Sequence, residues 1–401
     1  MRILLLHNHY GSSAPSGENQ VFEAERALLE AYGHEVRVLA RHSDTLRSKG
    51  VRGAVLGALS TPWNPRAAAA VRAEVARFRP DIVHAHNTFP LLSPAVFPAA
   101  RDAARVLTLH NYRLFCSAAI PLREGHTCTA CLDRRSVWPA LRHGCYRHSR
   151  MATAPIAAGI ALHRALGTWQ RHVEAFIALS PYQKQLMIHA GLPAQRLHVK
   201  PNFYPGTPSM RPWSARSPCV VYAGRLSDEK GVDVLVHAWA RWGARAPELR
   251  ILGDGPLRAR LEAEAGRSDA PIRFLGQCSA EHAQGHIGEA CLVVVPSTCI
   301  EGFPMVLREC FALGTPSLVS DLGPLPALVH DAGGAVFRAG DSEDLFRQAA
   351  ALWEDATRLA SMSLAAHKSY LDHYTESANH ELMMQIYGAA LREQRYRREG
   401  A

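Results

Sequence analysis

Short apolar runs alternate with longer amphipathic segments along this chain, and the alternation stops once and starts again. In the first half the strand-like runs are Arg2–Leu6, Glu35–Leu39, Asp81–His84, Arg105–Leu109, Ala175–Leu179 and Leu197–Lys200. Helical stretches such as Asn19–Tyr32 and Arg66–Phe78 lie between them. The break is Pro201-Asn202-Phe203-Tyr204-Pro205-Gly206, continued by Pro208, Pro212 and Pro218. Proline lacks the backbone donor that helices and central strands need, so this stretch reads as a linker. The rhythm then resumes with Cys219–Ala223, Leu249–Leu252, Ile272–Leu275, Cys291–Val295 and Ser317–Val319. Strand and helix in alternation imply a parallel sheet covered on both faces. The pattern therefore predicts an α/β chain of two doubly wound, Rossmann-like domains in tandem, residues 1–205 and 206–379. A last helical stretch, within 380–401, is expected to cross back onto the first domain.

The bulk properties agree with two full cores: 401 residues, 47% hydrophobic and 20% charged. No run of eighteen apolar residues exists to span a bilayer. The opening MRILLLHNHYG has too short an apolar core for a signal peptide and reads as a buried first strand, so a cytoplasmic protein is expected. Charge is uneven. Residues 1–205 hold 25 Lys and Arg against 12 Asp and Glu, whereas the remainder has a net charge of −4. A basic first half suits contact with an anionic membrane or lipid carrier, although solvated surface charges would give the same count. Nucleic acid is not expected, because no reader motif is present.

Ligands of open α/β sheets bind beyond the carboxyl ends of the strands, so the loops that follow each strand matter most. After Cys219–Ala223 comes Gly224-Arg225-Leu226-Ser227-Asp228-Glu229-Lys230-Gly231, with two cations on a glycine-bearing loop. After Leu249–Leu252 comes the tight turn Gly253-Asp254-Gly255-Pro256, and after Ile272–Leu275 comes Gly276-Gln277-Cys278. After Cys291–Val295 a loop carries Glu301, and a helix is predicted to start at Pro304 and end by Gly314, with Glu309 on its second turn. The exposed N–H groups expected at Met305, Val306 and Leu307 would attract an anion. Cations for a diphosphate and carboxylates for sugar hydroxyls thus converge on one edge.

The segments GRLSDEKG, GDGP and EGFPMVLRECFALGTP resemble the retaining family-four (group 1) glycosyltransferases of GT-B architecture, and the likeness extends over essentially the whole chain. The resemblance implies that Arg225 and Lys230 hold the donor diphosphate, that Glu301 contacts the donor sugar and that Glu309 binds the ribose. It implies that backbone at Phe303, Pro304, Met305, Val306 and Leu307 meets the sugar and phosphates. Gly224, Gly253, Gly255, Gln277 and Cys278 would line the rest of the donor pocket, the latter four beside the base. In the first half, the loop His9–Gly17 and the segment GENQVFEAERALLEAYGHEV resemble the family's first loop and helix. Ser16-Gly17 stands where the family often has two glycines, and Gly17 would approach the donor phosphate. His110, in LTLHNYRLFC, matches the family histidine near the scissile bond. The catalytic set expected from the likeness is His110, Arg225, Lys230 and Glu301. The donor is expected to be a nucleoside-diphosphate sugar, with UDP or GDP as base carrier. The acceptor is expected to be a glycan or lipid-linked sugar of cell-surface polysaccharide synthesis, met by a cytoplasmic enzyme peripheral to the inner membrane face. No cofactor is needed for such chemistry. A nucleotide-sugar epimerase on the same fold, or an inactive nucleotide-binding or zinc-bearing assembly factor, are the alternatives.

Two features stand apart. Cys116, Cys128, Cys131 and Cys145 lie within thirty residues, and Cys128-Thr129-Ala130-Cys131 has the spacing of a metal knuckle. Four thiolates suit structural zinc, an iron–sulfur cluster uses the same ligands, and ordinary packing also accounts for them. A subset of the same glycosyltransferases carries a similar cysteine-bearing insertion. Residues 151–169, MATAPIAAGIALHRALGTW, are apolar and read either as a helix buried between domains or as an interfacial one.

Overall fold

The computed structural model describes residues 1–11 and 16–399, so the expected first loop lies partly outside the described residues. They divide into two compact units. One comprises Met1–Pro121, Thr129–Pro201 and the chain from His380 on; the other comprises Leu122–Cys128 and Asn202–Asn379.

The first unit is built on six parallel strands: β1 (Arg2–His9), β2 (Glu35–His42), β3 (Ile82–Asn87), β4 (Ala104–Thr108), β5 (Ala175–Ala178) and β6 (Leu197–Val199). Their order is β2-β1-β3-β4-β5-β6. Ile3, Leu4, Leu5 and Leu6 of β1 are all fully buried. Both faces of the strand are covered, so it reads as a continuous apolar run rather than an alternating one. Helix α1 (Gly17–Ala31) begins at Ser16, whose side chain accepts a hydrogen bond from the Asn19 N–H. The serine that stands in place of a family glycine is thus the helix cap. Helix α2 (Gly50–Ser60) follows β2, and α3 (Arg150–Ala165) covers the region read as an apolar segment, with Ile156, Ala157 and Ile160 buried.

The second unit holds β7 (Ser217–Ala223), β8 (Glu248–Leu252), β9 (Ile272–Gly276), β10 (Ala290–Val295), β11 (Ser317–Ser320) and β12 (Ala335–Phe337). Their order, β9-β8-β7-β10-β11-β12, reverses direction between β7 and β10. That reversal opens a crevice at the carboxyl ends of these two strands. Helix α4 (Met305–Leu313) leaves β10 by way of the Glu301 loop and stops at Gly314, whose φ is 62°. It begins one residue after the expected Pro304, which has an extended ψ of 130° and caps the helix instead.

Two boundaries differ from the sequence reading. The units part after Pro201 rather than Pro205. Phe203 and Tyr204 are buried in the second unit, where the Phe203 carbonyl accepts from Arg308 at 2.9 Å and the Tyr204 N–H donates to Tyr374. The hairpin of Leu122–Arg123 and His126–Thr127 groups with the second unit although it interrupts the first along the chain.

Helix α5 (Glu376–Glu399) carries the chain back. Its Met383, Ile386, Tyr387 and Ala390 belong to the core of the first unit, with Ile3, Leu5, Ile82, Val106 and Ile177. The Tyr387 hydroxyl lies 2.9 Å from His84 Nδ1. Arg397 meets buried Glu174 at 3.1 Å, and Glu174 also pairs with Arg105 at 2.6 Å. Tyr387→Ala is expected to cost about 3–5 kcal/mol through a core cavity, and Tyr387→Phe only about 1 kcal/mol through the lost hydrogen bond. Urea unfolding of the two variants checks both values; equal losses would mean that the hydroxyl, not the ring, secures the helix.

Candidate functional site

In the second unit the two loops that flank the strand-order reversal are bound to one another. The Thr298 N–H donates to the Glu229 carbonyl and its hydroxyl to the Asp228 carbonyl. Gly231 sits at φ 62°, and a Cβ there would strike the Pro296 carbonyl, so only glycine lets the loops close up. The ammonium of Lys230 then lies 2.7 Å from Glu301 Oε1, and the Ser297 hydroxyl donates to the same oxygen at 2.7 Å. Burial acts to lower the Lys230 pKa, but Glu301, Cys299 and Glu229 outweigh it and the pKa ends raised. Lys230 is therefore a fixed, fully charged cation.

Arg225 is exposed on the same loop and forms no ion pair among the described residues; its carbonyl accepts from the Tyr222 hydroxyl at 2.8 Å. Gly224 and Gly253 are brought together by a hydrogen bond from the Gly224 N–H to Leu252 and by the close approach of Gly253 to the Gly224 carbonyl. Gly255 lies on the next turn, its N–H bound to Asp254. Cys278, half-buried, follows β9 with its thiol 3.6 Å from the Gly276 carbonyl.

Helix α4 differs from expectation at one amide. Met305 and Val306 are half-buried at its start, but Leu307 is buried and its N–H already donates to the Pro304 carbonyl. The first turn is tightened to a three-residue bond, a common way of satisfying helix-terminal donors. Phe303 turns its ring inward, 5.5 Å from that of Tyr374, so its backbone rather than its side chain remains for a ligand. Glu309 lies 3.4 Å from Arg308. Burial raises its pKa, against the lowering effect of Arg308 and a hydrogen bond from Gln284.

In the first unit, His110 follows β4 and lines an open cavity, with His86, Asn111, Arg113, Ile156 and Trp169 among the other walls. Its neighbours were not in the sequence reading. His86 Nδ1 is 3.1 Å from His110 Nε2, and His86 Nε2 is 3.6 Å from Glu25 Oε2. Glu25 in turn pairs with buried Lys200 at 2.5 Å. Burial, chiefly, lowers the His110 pKa to about 3 and holds His84 and His86 well below the usual histidine range. All three rings are neutral near pH 7. The tautomers are assigned with the His86 proton on Nε2, the nitrogen that faces Glu25 at 3.6 Å without a hydrogen bond. His86 Nδ1 then accepts from the Nε2–H of His110, and His110 Nδ1 is left as a bare acceptor. The signal was present in the sequence as His84-Ala85-His86, since alternate residues of a strand share a face. Gly17 is the first residue of α1, and the next residue, Glu18, receives a 2.7 Å hydrogen bond from Asn111, beside His110.

Among the described residues, the group of at least three metal-capable side chains with converging ligand atoms is Glu25, His84 and His86. It is a polar network rather than a metal centre. Lys200 already supplies the cation, and both His84 nitrogens are engaged, one by Tyr387 and the other by Thr108 at 2.8 Å. The four cysteines are each half-buried. Burial, chiefly, raises the Cys116 thiol to about 12, with Cys131 and Cys145 adding to the shift; among the described residues the four sulfurs do not converge as metal ligands.

Residues 17–207 match the model of Glycosyltransferase Family 4, and residues 217–355 match that of Glycosyl transferases group 1. The exopolysaccharide phosphotransferase SCO2592 of Streptomyces coelicolor is 32% identical over 205 residues, 49% of this chain and 21% of that protein. The D-inositol 3-phosphate glycosyltransferase of Nocardia farcinica is 34% identical over 187 residues, 43% of this chain and 41% of that one. The chain thus spans less than half the length of these curated relatives. Among solved structures, Anabaena HepE in complex with UDP superposes with a TM-score of 0.63 at 18% identity, over 97% of this chain and all of that one. At that identity the likeness establishes the two-domain GT-B fold.

The buried histidines carry a pH prediction. The folded values of about 4 for His7 and about 3 for His110 lie below the ordinary 6.5, so the unfolded chain takes up protons first as pH falls. Stability held above about pH 6.5 should fall progressively toward the folded pKa values. Urea midpoints measured from about pH 7 down to about 5 check this; a flat profile would show that these rings are not buried neutral.

Proposed function

Since the chain belongs to the family-four (group 1) glycosyltransferases, we propose that it moves a sugar from a nucleoside-diphosphate sugar onto a glycan or lipid-linked acceptor, with retention at the anomeric carbon. The observation that carries this reading is the meeting of Lys230, Glu301 and Ser297 at the strand-order reversal of the second sheet. There the lysine and the glutamate neutralise each other. A nucleotide sugar offers each a better partner: phosphate oxygens for Lys230 and exposed Arg225, hydroxyls for Glu301.

In this reading, cleavage of the sugar–phosphate bond leaves its electron pair on the departing diphosphate and positive charge on the anomeric carbon. Arg225, Lys230 and the amino end of α4 at Met305 and Val306 stabilise the diphosphate as preorganised charges and dipoles. A phosphate oxygen of the leaving group takes the acceptor proton on the same face, which gives retention without an enzyme nucleophile. Glu301 orients the sugar, and its ties to Lys230 and Ser297 suit a group that holds rather than attacks. Glu309 is assigned to the ribose hydroxyls. Gly224, Gly253, Gly255 and Cys278 border the nucleotide. His110 Nδ1 accepts from a substrate hydroxyl in the cavity of the first unit. The two cations make a divalent metal unnecessary for the transfer step. What supports a structural zinc is the spacing of Cys116, Cys128, Cys131 and Cys145 along the chain alone, and no chemical step runs through it; elemental analysis that finds no zinc in the purified protein overturns that reading.

A thermal-shift screen of UDP-, GDP- and other nucleotide sugars should reveal the donor as the ligand that raises the melting temperature. Lys230→Ala and Glu301→Ala should each lower transfer about 10²–10³-fold with little change in melting temperature. Near-normal transfer by both variants would overturn the site. Chelation with EDTA should leave the rate unchanged, and a loss restored by a divalent cation would show that Arg225 and Lys230 do not suffice.

A further inference from the structure

Surface helices usually turn Val and Leu inward and keep small or charged residues outside. Helix α2 does the reverse. Its buried residues are Gly53 and Gly57, four apart and so on one face. A Cβ on Gly53 would run into the Leu46 carbonyl, so the helix backbone rests directly on the turn before it. The side turned outward presents Val51, Val55, Leu56 and Leu59, with Val51 83% and Leu59 70% exposed. Val51, Val55 and Leu59 fall on one stripe, and Trp63 beyond the helix end is exposed as well. From Thr45 to Ala73 the chain has no acidic residue and five basic ones, Arg47, Lys49, Arg52, Arg66 and Arg72, all exposed, of which Arg47 pairs with the preceding Asp44 at 3.7 Å.

We propose that α2 docks the protein onto an anionic phospholipid bilayer. It lies in the plane of the surface with the Val51–Val55–Leu59 stripe at the acyl boundary and the flanking cations on headgroup phosphates. Trp63 suits the interfacial layer, where an amphipathic ring is favoured. The charge selects this occupant. A second copy of the chain would set like charges against like across a self-complementary contact. A nucleic acid would satisfy the cations but leave the apolar stripe uncovered. Thr61, the residue after α2, also lines the cavity that holds His110. Docking therefore brings the rim of that cavity to the bilayer, which narrows the acceptor of the proposed transfer to a membrane-borne, lipid-linked one. The acceptor assignment rests on the transferase reading; the docking itself does not.

The test uses the full chain and vesicles of phosphatidylcholine with or without phosphatidylglycerol. The protein should sediment with the anionic vesicles, not with the neutral ones, and less so as salt is raised. Combined Val51→Ser, Val55→Ser and Leu59→Ser substitutions should lower the vesicle-bound fraction about tenfold or more. The melting temperature, and transfer to a short water-soluble acceptor, should stay unchanged. A wild-type chain that stays in the supernatant, or a triple variant that sediments equally, overturns the proposal. So does a concentration-dependent dimer in light scattering that the triple variant abolishes, since a second copy would then cover the stripe. Vesicle binding by a protein that transfers no sugar would uphold docking and count against the transferase reading alone.

Discussion

Every strand of both sheets runs in the same direction as its neighbours, and the arrangement of the chemistry follows from that. A parallel connection must leave the carboxyl end of one strand and return to the amino end of the next. Six strands therefore direct their outgoing loops to a single edge. In the second unit this edge gathers Arg225 and Lys230 from one loop, Gly253 and Gly255 from another, and Glu301 from a third, although they are spread over some eighty residues of chain. Strand order decides which of them meet. Because β7 and β10 are adjacent, the loop after the first strand of the unit can place its lysine on the glutamate that follows the fourth. In the first unit the same edge carries His86 and His110, from neighbouring strands.

Much of this was legible in the sequence, and the exceptions have physical causes. The strand runs were found because burial on both faces leaves no polar interruption. Ala335–Phe337 was missed because three residues between glycines and an arginine carry too little pattern. Lys230 and Glu301 could be predicted to approach from the strand-end rule, but the shared contact with Ser297 could not, since it depends on how tightly Gly231 lets two loops close. The network of Glu25, His86, Lys200 and His110 lay out of reach for a different reason. Its members sit on α1, β3, just after β6 and just after β4, and only the order of the sheet makes them neighbours. The amide of Leu307 was expected to be exposed; the tight first turn of α4 uses it instead.

Net charge would have misled any search for the ionic centre. The first 205 residues hold the excess of Lys and Arg, yet in the interior around His110 burial keeps the histidines uncharged and the one lysine of the network, Lys200, is matched by Glu25. The less basic half holds Lys230 at its strand-end loops, kept charged by its carboxylate. What matters to a buried anion is the charge within a few ångströms, where water cannot screen it. The surplus on the first half stays at the surface, where it sets the attraction to other surfaces and the sensitivity to salt.

The bond between His84 and Tyr387 spans 303 positions of the chain. A ribosome releases the sequence from the amino end, so β1, β3 and β4 emerge long before the helix that completes their core. Until Met383, Ile386, Tyr387 and Ala390 appear, one face of that sheet lacks its cover. The stretch from Asn202 to Asn379, by contrast, carries all six strands of the other sheet and emerges as one continuous piece. Domains tend to fold as units during synthesis, the amino-terminal one first. Here the order of completion is inverted: the part made first is the part finished last.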